Sequence, residues 1–296
     1  MLESIQKSTL SSYSPAIKRW WKFGQSHIFS PSKNQVLQFF MREFQASLAY
    51  STINCTRSAI SLLTGPAALN DPTSTRFFKG IANLRPSAPK YNVTWDPQQV
   101  LRYLRIQPNT SALPLEAVTK KLVTLLAIAT GQRLQTLKLI QINNLQESDS
   151  EIRIFIADRV KTSGDGRPQP LMVIPFFPEP QICPALTLKH DLKVTQPLRG
   201  TISQLFISTC PPTRPVSTQT LGRWIKDVLH KSGVDPSFKP HSTRHASTSA
   251  AYRGGMKVDA ILRAVGWSPS QSIFARFYNR PIHNNPRDYT NTVFNV

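Results

Sequence analysis

Residues 125–137 read LLAIATGQRLQTL, an apolar helix stopped by a glycine with an arginine two positions past the stop. Upstream, Val118 and Leu122 continue the spacing of Leu125 and Ala129, so the spacing predicts a helix that ends at Gly131. Arg133 is thereby a charge set beside buried structure, and such a charge needs a partner. Two partners suit it: a helix-end carbonyl, or a phosphate read by the planar guanidinium fork.

A second chemical stretch, KPHSTRHASTSAAYRGG at 239–255, puts His241 and Arg244 three residues apart at the start of a predicted helix ending at Gly254-Gly255. That spacing turns both side chains toward one point. A helix N-terminus already favours an anion, so the pair makes a phosphate site; a plain surface pair is the other reading. His245 reads as structural.

Around these stretches the pattern is helical with one small sheet. In the first ninety residues, Ser30-Pro31 offers a cap followed by proline at the first helical position, and Val36, Phe40 and Phe44 repeat every fourth residue. Ser51 or Thr52 is the expected cap of the next helix, where Ile53, Ile60 and Leu63 form an apolar stripe and Arg57 is free to point outward. IANLRPSAPKYNVTWDP, from 81 to 97, is rich in proline and polar residues and carries neither period, which marks a linker. Farther on, Ile152, Ile154 and Ile156 alternate, Gly164-Asp165-Gly166 turn, and Leu171-Met172-Val173-Ile174 return, as a hairpin does. Leu221, Trp224, Ile225 and Val228 mark a helix that stops near Gly233. The expected boundaries are a helical domain at 1–85, a linker at 86–96 and a second domain at 97–296.

The chain has 296 residues, and 36 Lys plus Arg against 16 Asp plus Glu leave a formal charge of +20. At roughly 100–200 residues per domain this length gives about two domains. Residues 1–95 hold 11 basic and 3 acidic side chains (+8), and 96–296 hold 25 and 13 (+12), so the charge is not a tail. A protein that grips a polyanion such as DNA with two folded lobes would show this spread, and a merely soluble basic surface is the other reading. No run approaches the roughly 18 apolar residues of a membrane span, and the first residues lack the apolar stretch of a signal peptide, so the expectation is an intracellular protein without a membrane. Cys55, Cys183 and Cys210 are too widely spaced for a zinc site or a disulfide framework. There is no carboxylate cluster suited to magnesium and no GxxxxGK phosphate loop, so no metal and no cofactor is expected.

Taken together, GQR around Arg133, VKTSGDGRPQP around Lys161, HSTRH around His241 and Arg244, and GWSPSQSIFARFYNR around Trp267 and Tyr278 resemble the tyrosine recombinases of the phage-integrase superfamily. Their flavour is similar to the recombinases of eukaryotic Crypton and DIRS-like mobile elements. STLSSYSPAIKRWWKF and YSTINCTRSAISLL are similar to the helical core-binding domain that precedes the catalytic domain in this family, so the resemblance covers almost the whole chain. It implies an α+β protein, mainly α with a small antiparallel sheet. A SAM-like core-binding domain and a catalytic domain shared with type IB topoisomerases would close as a C-shaped clamp on DNA.

Carried over by position, the resemblance implies that Arg133 and Arg244 clamp the scissile phosphate, and that His241 and Trp267 complete the pocket. Lys161 would protonate the leaving 5′-oxygen, and Tyr278 would be the nucleophile of a 3′-phosphotyrosine intermediate. The chain departs from common members in three ways. Thr136 replaces an acidic residue, Trp267 stands where many have histidine, and the step from Trp267 to Tyr278 is longer. A phenol of pKa about 10 is barely ionised at neutral pH, so a nucleophilic tyrosine needs surrounding cations and a base. Tyr278 also suits a core aromatic, Trp267 a packing role and Lys161 a solvated turn lysine. The implied partners are double-stranded DNA and further copies of the chain, a dimer on a site and a tetramer in synapsis. The C-terminal tail would dock on a neighbour, and the eukaryotic flavour implies a nuclear place of action. A type IB topoisomerase and a catalytically silent DNA-binding protein are the competing functions.

Overall fold

The computed structural model describes residues 5, 7–24, 28–65, 69–86, 91–160, 163, 169–266, 282 and 294. The chain forms two compact units, Met1–Lys90 and Tyr91–Val296.

The first unit holds four helices, α1 (Lys7–Gly24), α2 (Lys33–Gln45), α3 (Tyr50–Thr64) and α4 (Pro72–Leu84). Their apolar stripes meet in a core of Trp20, Phe39, Phe40, Ile53, Ile60, Phe78 and Ile81. The rings pack edge to face, Trp20 on Phe39 at 5.0 Å and Phe40 on Phe78 at 4.8 Å between centroids, a geometry that adds to simple burial. Trp20 Nε1–H donates to the Ile28 carbonyl at 3.0 Å, which satisfies the one polar atom of that buried ring. Arg19 forks onto Glu43 at 2.9 and 2.8 Å and ties α1 to α2.

Two caps differ from expectation. α2 starts after Ser32, not Ser30, because Ser32 and Gln35 bond each other's backbone N–H in a reciprocal capping box. α3 starts after Ala49 with no side-chain cap, so neither Ser51 nor Thr52 caps it. Arg57 does not point outward. Its guanidinium donates to the Leu69 carbonyl and to Asn70 Oδ1, and lies 4.4 Å from the centre of the Phe78 ring. A cation stacked on an aromatic face keeps its charge solvated at the edge while its flat side covers the core.

The second unit is built on α6 (Leu115–Thr130), which is buried along most of its length. Around it lie α5 (Pro97–Arg105), α7 (Leu134–Lys138), α8 (Pro184–Arg199), α9 (Thr218–Lys231), α10 (Ser242–Arg253) and α11 (Val258–Ala264). Ala129, placed in the apolar stripe by its spacing, is exposed. The antiparallel sheet runs β1 (Leu145–Glu147), β2 (Glu151–Phe155), β3 (Leu171–Pro175) in that order. Ile152 pairs with Ile174 and Ile154 with Met172, all four facing the core. The hairpin is as the alternation requires, and β1 is an added three-residue strand. Gly164-Asp165-Gly166 lie outside the described residues.

Residues 91–96, read as linker, pack within this unit. Tyr91 sits 5.2 Å from the Phe238 ring, and Trp95, 3% exposed, donates from Nε1 to Ser242 Oγ at 2.8 Å. Their two aromatics outweigh the proline-rich composition that suggested a linker. Asp96 caps α5 through Gln98 N–H, with Pro97 at the first helical position. All three cysteines are free thiols, and buried Cys183 caps α8, its Sγ accepting from Leu186 N–H.

One buried carboxyl sets a pH dependence. Asp191 on α8 accepts from Thr119 Oγ1 at 2.8 Å, while its second oxygen is enclosed with no partner among the described residues. Burial pushes this carboxyl from 3.8 up to about 6, against the opposing pull of the Thr119 hydroxyl and the Arg199 charge. The folded-state value lies above the unfolded one, so the native protein holds an extra proton between about pH 4 and about pH 6, and stability from this site falls as pH rises through that window. Asp191→Asn is expected to gain about 1–3 kcal/mol at pH 7.5 and to flatten the melting profile from about pH 4 to 6. Melting curves of both proteins across that range check it, and coincident profiles would refute it.

Candidate functional site

The site forms where α6 ends and α10 begins. Gly131 closes α6 in the left-handed region at φ 56°, its N–H bonded to the Ala127 carbonyl at 3.1 Å. A Cβ there would lie 2.8 Å from Val265 Cγ1, so both conformation and space call for glycine. The chain then turns extended, and Arg133 becomes the residue just before α7. Its side chain is half-buried and makes no hydrogen bond or ion pair with any described residue.

Across from it, α10 is fixed at its first turn. Trp95 holds Ser242, Thr243 Oγ1 donates back to the Pro240 carbonyl at 2.7 Å, and exposed His241 stands at the cap position. One helical turn on, Arg244 is 5% exposed. Its Nη1 donates to the Gly131 carbonyl at 2.7 Å and its Nη2 to the Val265 carbonyl at 3.2 Å. The helix-end carbonyl is thus the partner of Arg244, and Arg133 lines the pocket with no bond to a described residue. His245 packs its ring against Tyr91 at 6.1 Å.

Arg133, His241 and Arg244 line one pocket of about 280 Å³, together with Gln132, Leu134, Pro240, Thr243 and His245. Residues 108 or more positions apart in sequence, 133 against 241 and 244, therefore share one cavity. Two guanidiniums and the imidazoles of His241 and His245 at a helix start, with no carboxylate among the described lining residues, make a cavity suited to an anion. Thr136 is buried, at 3% exposed, on α7. Lys161, Trp267 and Tyr278 lie outside the described residues. Among the described residues, no three His, Cys, Asp or Glu side chains converge as a metal would require, and no helix is long and apolar enough to cross a membrane.

Sequence reasoning passed over Gln132 and Ser242. The signal for the first was a polar residue between two apolar helices; the second is visible only once Trp95 is seen to reach it.

Gly131→Ala is expected to cost about 2–4 kcal/mol, from the left-handed backbone and the contact with Val265. It also moves the carbonyl that holds Arg244. Thermal unfolding checks the loss, and an unchanged melting temperature would contradict it.

Residues 96–283, more than half of the chain, match the family described as the Phage integrase family. Several solved structures share the fold. The XerH site-specific recombinase bound to palindromic difH substrate is 13% identical with a TM-score of 0.62, covering 96% of this chain and 78% of that one. The Tn1549 transposon integrase in complex with transposon right end DNA is 15% identical with a TM-score of 0.61, covering 98% and 94%. A lambda integrase dimer bound to a COC′ core site is 16% identical with a TM-score of 0.57, covering 95% and 91%. At such identities the likeness is one of fold. No curated protein matches the sequence. With the family matched over the whole of α5 to α11, and with Arg133, His241 and Arg244 gathered in one anion-suited pocket within it, the chain belongs to the phage integrase family, the tyrosine recombinases.

Proposed function

We propose that this protein is a site-specific DNA recombinase that cuts and rejoins strands through a 3′-phosphotyrosine at Tyr278, integrating or excising a mobile element. The observation that carries the reading is the pocket, where Arg133 presents a guanidinium with no bond to a described residue beside the anchored Arg244. The formal charge of +20 suits a DNA partner, and the related structures named above are bound to DNA. The first unit would serve as the core-binding domain and the second as the catalytic one, closing on the duplex as a clamp. A lambda integrase tetramer bound to a Holliday junction is a further structure of this fold, with a TM-score of 0.55, and a dimer on each site pairing into a tetramer is part of the proposal. So are the mobile-element kinship of Crypton and DIRS-like kind and a nuclear place of action, which rest on the sequence motifs.

In this reaction the Tyr278 oxygen forms a bond to phosphorus as the bond from phosphorus to the 5′-oxygen breaks. The 5′-oxygen takes a proton from Lys161, and the phenol passes its own to the His241 imidazole. Charge builds on the non-bridging oxygens, where Arg133 and Arg244, with His241 and Trp267, stabilise it. One phosphodiester is exchanged for another, so the bond energy is kept and no nucleotide cofactor is consumed.

The test incubates the protein with a nicked, randomised duplex library, denatures, and sequences the DNA that stays covalently attached. Adducts with the native protein that vanish in Tyr278→Phe support the reading. Adducts that persist in Tyr278→Phe refute the nucleophile, and DNA binding with no adduct favours a silent binding protein.

A further inference from the structure

Gln132 directly precedes Arg133 in the sequence, lines the same pocket as both arginines and is 5% exposed. Its backbone N–H is used, bonded to Thr130 Oγ1 at 3.3 Å. Its side-chain amide makes no hydrogen bond to any described residue. Buried amides are nearly always bonded, because burial without a partner forfeits the bonds made to water. Gln132 is also not among the described residues whose unpartnered polar atoms are sealed from solvent, such as Gln107 and Lys121. Its amide atoms therefore keep some surface, and the residue lines the pocket.

The direction is set by a second contact. Nε2 lies 3.9 Å from where a Cβ on Gly266 would be, so the amide reaches toward the end of α11, where the Val265 carbonyl holds Arg244. A carbonyl oxygen turned to an anion would repel it, whereas the NH2 group offers two donors and no charge. The cavity that suits an anion thus has a nine-tenths-buried donor with nothing in the described protein to donate to.

We propose that Gln132 donates its side-chain N–H to a non-bridging oxygen of the phosphodiester held between Arg133 and Arg244. Only the identity of the anion as a scissile phosphate rests on the strand-cleavage reading. The contact is a neutral, directed bond beside two cationic ones. It would strengthen as negative charge builds on that oxygen, which makes Gln132 a catalytic residue in addition to the six expected from sequence.

Two measurements test it. In the first, the full chain is labelled with nitrogen-15, and the Gln132 side-chain NH2 resonances are assigned by their loss in Gln132→Leu. They are then followed as inorganic phosphate is titrated against chloride at matched ionic strength. A saturating shift that disappears in Arg133→Ala is expected. No shift overturns the proposal, whether or not the arginine resonances move. In the second, Gln132→Leu keeps the shape and removes the donor. Its covalent attachment to nicked DNA is expected to fall about 10²-fold, with the melting temperature at the native value. Attachment at the native rate overturns the proposal. If the native protein attaches to no DNA while phosphate shifts Gln132, the donor role stands and the strand-cleavage reading falls.

Discussion

Arg133→Ala is expected to lower covalent attachment to DNA about 10²–10³-fold, the usual effect of removing one preorganised transition-state donor, while shifting the melting temperature by no more than about 2 °C. The reason is that Arg133 is half-buried and bonds to no described residue, so no hydrogen bond among the described residues is lost when it goes. Arg244→Ala is expected to behave otherwise. It too removes a donor, but it also strands the Gly131 and Val265 carbonyls in a buried site. Each unsatisfied carbonyl costs about 1–3 kcal/mol, and at roughly 2–4 °C per kcal/mol the melting temperature should drop by about 4–24 °C. Arg244→Lys, a point charge in place of a fork, should recover at most one of the two bonds. Melting curves and attachment assays run on the three variants separate the roles. Equal melting temperatures for the two alanine variants would show that the carbonyl bonds carry no stability.

The second large effect belongs to the first unit. Phe40 has no exposed surface and packs its ring on Phe39 at 5.4 Å and on Phe78 at 4.8 Å. Phe40→Ala should cost about 3–5 kcal/mol, a large fraction of the roughly 5–15 kcal/mol that holds a domain together. Hydrogen exchange reads this directly. Protection in α2 and α4 should fall by more than about 10²-fold, with the amides of α6 as the internal reference. Unchanged protection in α4 would mean that the aromatic cluster is not the core it is drawn to be.

How much of this was legible before folding follows from the range of each interaction. The stop at Gly131, the hairpin alternation of Ile152 and Ile154, and the helix from Ser242 to Arg253 are local patterns, and each stands where the pattern puts it. Caps were harder. Ser30 and Ser32 are both serines near a proline, and only the reciprocal bond to Gln35 selects the second. The strand β1 spans three residues, too few for alternation to register. Long-range partnership was not legible at all. An arginine bonded to the end of α6 was a fair expectation, but the arginine that takes that carbonyl comes from α10. Arg57 likewise read as a solvent-facing residue because its partners, Leu69 and Phe78, lie on other segments. Gln132 was invisible for a different reason: its meaning depends on having no side-chain partner among the described residues, which a sequence cannot display.

The two acceptors that hold Arg244 are main-chain carbonyls, at Gly131 and Val265. Every residue type has a carbonyl, so no side-chain substitution at position 265 can delete its half of the anchor. Drift in the surrounding sequence is therefore largely silent for this arginine, as long as the path of the backbone is kept. Retuning the guanidinium means bending that path, and an engineer who wants to relax or redirect it must work through the loop geometry after α6 and α11 rather than through the composition of the pocket.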